Sequence, residues 1–201
     1  NIGDNSAFEK LLDWVIEKEA ELASDTEASF LFYKRGIEKI DKGNYKDALR
    51  YLGRTLALTL KSDESPILTR VLFALACVYK EENLFYASNS CLIQVCRFEL
   101  KKMQTSSLDD SGILLHSVLM LCKNELQIGR ITVMWCWYEL YKRLECALSA
   151  PEEIINESKN IELYLTARLC LCKNEKNSLE KVPNILSRLA FVTTEDCAYG
   201  L

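Results

Sequence analysis

Apolar residues return every three or four positions through nearly the whole chain, and short polar clusters interrupt the pattern. Phe8, Leu11, Leu12, Val15, Ile16 and Leu22 form the first such stripe, at the period of a helix with one apolar face. Ser6 and Glu9 stand at its start with the spacing of a capping box, in which a hydroxyl and an acid three residues on satisfy exposed amides reciprocally. ASDTEA closes this helix, and a second runs from about Glu27 to Lys42 and stops at Gly43. Asn44 is placed to cap a third, YKDALRYLGRTLALTL. Ser65-Pro66 marks the start of a fourth, reaching about Glu82, because proline at the first helical position loses no hydrogen bond. ENLF turns into a fifth helix, YASNSCLIQVCRFELKKM, and QTSSLDDSG is the longest polar stretch and reads as a loop. A sixth helix ends at Gly129 and a seventh is ITVMWCWYELYKRLECAL. Ser149, Pro151 and Glu152 repeat the start signals for an eighth that reaches about Lys173. LEKVPNILSRLAFV predicts a ninth, followed by a frayed tail. The expectation is an all-α chain of about nine helices: one leading helix, then four pairs.

Composition supports that reading. Gly (7) and Pro (3) are scarce, and the chain is 49% hydrophobic and 27% charged over 201 residues, which describes a globular chain and not a disordered one. The net charge of −4 argues against a nucleic-acid surface, which needs a basic face. Charges interrupt every apolar run before it reaches bilayer length, and the first ten residues lack the features of a signal peptide. The nine cysteines are odd in number and irregularly spaced, so they read as reduced thiols of a cytoplasmic or nuclear protein and not as a disulfide framework. The absence of an initiator Met suggests a piece of a longer chain.

The stretch SFLFYKRGIEKIDKGNYKDALRYLGRTLALTL, residues 29–60, carries Gly36 in mid-helix, Gly43 at the turn, Tyr45 just after it and Ala48 early in the next helix. Small residues at 36 and 48 would let two helices approach closely, and Gly43 would permit a left-handed turn. These four positions resemble the tetratricopeptide repeat, whose unit is a pair of antiparallel helices. Thr55 and Leu60 depart from the family pattern, standing where Ala and Pro are usual. A weaker copy over residues 69–102 places Ala76, Asn83, Phe85 and Ser88 at the corresponding points. The resemblance implies a right-handed stack of helix hairpins, an α-solenoid, in a single domain over residues 1–201. Residues 1–24 would be its leading helix, 25–103 two repeat-like hairpins and 104–201 degenerate hairpins and the tail. LMLCKNE (119–125) and LCLCKNE (169–175) look like copies. Aligned by helix ends, Cys122 falls where Tyr79 falls and Leu119 where Ala76 falls, so the later hairpins are expected to lack the small crossing residue.

Catalytic and metal chemistry find little support. His116 is the only histidine and sits between apolar neighbours, where a base for a nucleophile is not expected. The cysteine spacings lack the paired ligands of a structural zinc site, and no phosphate-binding glycine motif occurs. No cofactor or metal is expected. The carboxylate pairs Asp109-Asp110 and Glu152-Glu153 sit at helix starts, where acids favour the helix dipole.

Because first helices line the concave surface in the family, the resemblance implies a protein-binding face made of Phe30, Tyr33, Ile37 and Ile40 with Arg70, Phe73, Cys77 and Lys80. Its chemistry suits an apolar helix or peptide that carries acidic residues. Tyr33 and Ile37 occupy the positions where some members use Lys and Asn to clamp chaperone carboxylates, which argues against the C-terminal tails of Hsp70/Hsp90. The alternative occupant of this face is the leading helix itself, through Phe8, Leu11, Val15 and Ile16. The expected function is a non-catalytic scaffold or adaptor. A regulatory or oligomerisation domain of a larger enzyme or complex is the first alternative, with self-association as a further option, and an RNA-binding helical repeat is the second.

Overall fold

A computed structural model describes residues 2–61, 67–105, 111–148 and 152–173. Every element among them is an α-helix: α1 (Ile2–Leu22), α2 (Asp25–Asp41), α3 (Tyr45–Thr59), α4 (Leu68–Glu81), α5 (Phe85–Thr105), α6 (Ser111–Ile128), α7 (Ile131–Ala147) and α8 (Glu152–Lys173). The ninth predicted helix and the Ser65-Pro66 and Asp109-Asp110 signals lie outside the described residues. The chain divides into two compact units, Asn1–Ser107 and Leu108–Leu201. In the first, α1 packs on α2, α2 pairs with α3, α3 packs on α4 and α4 pairs with α5; in the second, α6 pairs with α7 and also meets α8.

The capping box falls elsewhere than the first stripe suggests. α1 begins at Ile2, so Ser6 lies inside the helix, and the Glu9 carboxylate is taken by Lys39, Lys42 and Arg35. The box caps the start of α2 instead: Glu27 N–H donates to Ser24 Oγ at 3.3 Å and Ser24 N–H donates to Glu27 Oε2 at 3.0 Å.

Three hairpins close on one backbone device. Gly43, Asn83 and Gly129 hold φ of 68°, 58° and 82°, the left-handed region that glycine and asparagine tolerate best. At each turn this residue's N–H donates back three residues, and the next N–H donates back five: Gly43 to Ile40 and Asn44 to Lys39, Asn83 to Lys80 and Leu84 to Tyr79, Gly129 to Leu126 and Arg130 to Glu125. The last orphan carbonyls of each first helix are thereby satisfied. An alanine at Gly43 would have room, since nothing lies within 4 Å of its added Cβ, but would pay left-handed strain. Gly43→Ala is therefore expected to lower stability by about 1 kcal/mol, read as a shifted denaturant midpoint with unchanged slope.

Counting from the turn residue reassigns the repeated motif. Seven residues before it stand Gly36, Ala76 and Cys122; five after it stand Ala48, Ser88 and Met134. These are the crossing points. A Cβ on Gly36 would come within 2.9 Å of Leu52 Cγ, Ser88 Oγ donates to the Ala76 carbonyl at 2.8 Å, and Cys122 Sγ lies 3.9 Å from the Met134 carbonyl. Cys122 thus corresponds to Ala76, not to Tyr79, and the α6–α7 hairpin does carry a small residue where its helices cross. In the first unit, Ala48, Leu52, Val71, Leu75 and Val78 form the central core, while Phe32 and Tyr51 anchor a second cluster towards α1.

Candidate protein-binding face

α2 presents three neighbouring stripes to three different elements. Gly36 meets α3. Tyr33, Ile37 and Ile40 lie half-buried against the core that α3 and α4 share. Phe32, Arg35 and Lys39 are buried; Phe32 shares its cluster with Ile16 and Ala20 of α1, and the two cations pair with α1 acids.

That last contact is ionic. Arg35 is fully buried and reaches Glu9 at 2.7 Å, Asp13 at 2.6 Å and Glu38 at 2.8 Å. Lys39 reaches Glu9 and Asp13, each at 3.1 Å, and Lys42 closes on Glu9 from the rim. Hydrogen bonds from Lys42 and Lys39 hold the Glu9 carboxyl down at about 2. Burial pushes Asp13 upward, but hydrogen bonds from Arg35 and Lys39 outweigh it and leave its pKa below the usual carboxylate value. Burial pulls Arg35 and Lys39 down, and their hydrogen bonds to the acids reverse the direction. At the turn-relative positions of Arg35 and Lys39, the second hairpin has Leu75 and Tyr79, which pack in the core. Where the second hairpin has apolar side chains, the first has a charged stripe that needs acids at matching spacing.

Sequence reasoning missed this site. Its signal is two cations four apart inside a buried helical stripe, Arg35 and Lys39, and two acids four apart on the leading helix, Glu9 and Asp13.

With α1 fixed on that stripe, the predicted binding residues occupy the remaining face of α2 and α4. Phe30 is 45% exposed, Arg70 is exposed, and Tyr33, Ile37, Ile40, Phe73, Cys77 and Lys80 are half-buried. Burial raises the Tyr33 hydroxyl's pKa, and the neighbouring Arg70 charge pulls it back while Cys77 adds to the rise, so these three side chains share one neighbourhood across the two helices. Burial also lifts the Cys77 thiol to about 11, which keeps it protonated and unreactive near neutral pH. Tyr33, Ile37 and Ile40 also pack against the core cluster and so offer only part of their surface outward. Phe8 and Leu11, offered as occupants of this face, are instead 61% and 57% exposed; of that set Ile16 is packed, against the Phe32 cluster.

In the second unit, Tyr138 and Tyr141 are buried and stack with ring centroids 6.2 Å apart, with the Tyr141 hydroxyl donating to Glu145 at 3.0 Å. Trp135 stays 39% exposed, and Thr132, Val133, Cys136, Trp137 and Leu140 line a shallow pocket of about 290 Å³ on α7. Cys96 and Cys122 are buried, Cys77 and Cys91 half-buried, Cys136 and Cys146 exposed, and none of these six is in a disulfide. His116 is exposed. No three His, Cys, Asp or Glu side chains converge on a common point among the described residues, and none of their helices is long and apolar enough to cross a membrane.

These features define an all-α protein built of antiparallel helix hairpins. Set against protein-family models the chain matches none, and no curated protein matches it significantly.

Proposed function

We propose that this protein is a non-catalytic scaffold of tetratricopeptide-like hairpins that holds a segment of a partner protein on the α2/α4 face. The observation that carries this reading is the arrangement of Phe30, Tyr33, Arg70 and Phe73. An exposed aromatic and an exposed cation flank half-buried aromatic and aliphatic side chains on helices that the core already fixes. A surface ordered in advance loses little side-chain entropy on binding, and aromatic and arginine side chains are the common anchors of protein interfaces. An apolar helix or peptide with acidic residues complements it: the apolar side chains would cover Phe30 and Phe73, and a carboxylate would meet Arg70. A location in the cytoplasm or nucleus fits a chain in which none of the six described cysteines forms a disulfide.

Phe30→Glu and Arg70→Glu change exposed side chains, so the fold is expected to survive both. Each is expected to weaken partner binding roughly tenfold or more, measured by titration calorimetry with the isolated partner. Affinity unchanged in both variants would remove this face as the binding site.

A further inference from the structure

α1 is turned inside out. Its face towards α2 carries Glu9 and Asp13, bound to Arg35 and Lys39, while its opposite face carries Phe8, Leu11, Trp14 and Leu22 at 61%, 57%, 58% and 92% exposure. Half-buried Val15 lies between them on the wheel. The only charge within the stripe is Lys18, which turns aside to Glu21 at 2.7 Å and leaves its methylene stem along the apolar surface. Such a stripe offers on the order of 400 Å² of apolar side chain in one place, beyond what scattered surface residues need explaining.

We propose that this outer face of α1 is a self-association surface, on which a second copy of the chain lays its own α1 antiparallel. Charge placement selects that occupant. Lys10 and Glu21 lie on the same flank of the stripe, one near each end, and both are exposed. In an antiparallel pair related by a two-fold axis, a flank faces its own copy. Lys10 of each chain then stands beside Glu21 of the other, twice over. The midpoint of Lys10 and Glu21 and the midpoint of Phe8 and Leu22 both fall at Val15 to within a residue, so the charge register and the apolar register coincide. In a parallel two-fold pair each flank would instead face the opposite flank of the partner, and Lys10 and Glu21, well separated along the helix, would not meet. Two stripes with their flanks bury on the order of 1,000 Å², below a standard stable interface, so the dimer is weak and depends on concentration. This surface is separate from the α2/α4 face, and neither reading requires the other.

Sedimentation velocity of the full chain, from low micromolar to several hundred micromolar, reads the equilibrium. The wild type is expected to move from monomer to dimer across that range. Trp14→Ser should weaken association at least tenfold with an unchanged melting temperature, because Trp14 is largely exposed. Lys10→Glu alone and Glu21→Lys alone should each be monomeric, and their equimolar mixture should recover the dimer, since only the mixed pair sets opposite charges together at both contacts. A variant with early melting leaves the mixture as the deciding readout. A wild type that stays monomeric throughout, the result if another part of the chain or another protein covers the stripe, overturns the proposal. So does a dimer that persists in Trp14→Ser, or a mixture that fails to recover it.

Discussion

Replacing Arg35 with alanine is expected to destabilise the first unit by about 3–5 kcal/mol, the range found when one partner of a buried ion pair is removed. Arg35 is among the largest fully buried side chains of the described residues, and its loss leaves a cavity and takes a partner from Glu9, Asp13 and Glu38. Lys39 and Lys42 still reach Glu9, which keeps the cost from being larger. Arg35→Met should cost less than alanine because it fills the space. The loss should concentrate in α1: hydrogen exchange over residues 2–22 should accelerate far more than over α4 and α5. The same network sets the acid response. Glu9 and Asp13 have folded pKa values below their ordinary 4.5 and 3.8. Their stabilisation is therefore fully present above those ordinary values and is lost as pH falls towards about 2, where Glu9 itself protonates. α1 should detach in that window, and in Arg35→Ala it should already be loose at neutral pH.

Gly36→Leu is expected to cost about 3 kcal/mol or more by overpacking. A Cβ alone would already stand 2.8 Å from Leu52 Cδ2, and Leu52 is fully buried at the centre of the core. The longer side chain can escape only if α2 and α3 separate, which also disturbs Ala48 on the facing helix. Gly36→Ala should show the same sign reduced, because alanine recovers about 1 kcal/mol of helix propensity. The equivalence of the crossing points extends the expectation to Ala76→Leu, where the hydrogen bond from Ser88 to the Ala76 carbonyl would also break. Denaturant titration of the three variants gives the ranking.

The first hairpin was legible because its special residues are cheap to recognise and have one physical use each. Gly36 and Ala48 mark a close crossing, Gly43 a left-handed turn, and all three hold those places. Cys122 was misaligned for a related reason. Helix ends without strong caps are poor anchors, and counting from Gly129 instead places Cys122 beside Gly36 and Ala76. Cysteine is small enough to serve at a crossing, so composition alone hides it. Arg35 and Lys39 were illegible because an isolated charge in a helix ordinarily faces water. Their burial depends on Glu9 and Asp13, more than twenty residues earlier, and periodicity within one helix carries no such information. By sequence the leading helix is an alternative occupant of the α2/α4 face, and its stripe alone could not decide. The ion pairs turn Glu9 and Asp13 inward, Ile16 packs beside them against the Phe32 cluster, and Phe8 and Leu11 stay exposed.

The most direct test of the scaffold reading places a photo-reactive phenylalanine analogue at Phe30, at Phe73 or at Tyr86, which is 65% exposed on α5. After irradiation in the cell, the reading predicts that the positions at Phe30 and Phe73 capture one and the same partner polypeptide and that Tyr86 does not. Capture of that polypeptide equally from all three positions, or from Tyr86 alone, would contradict it.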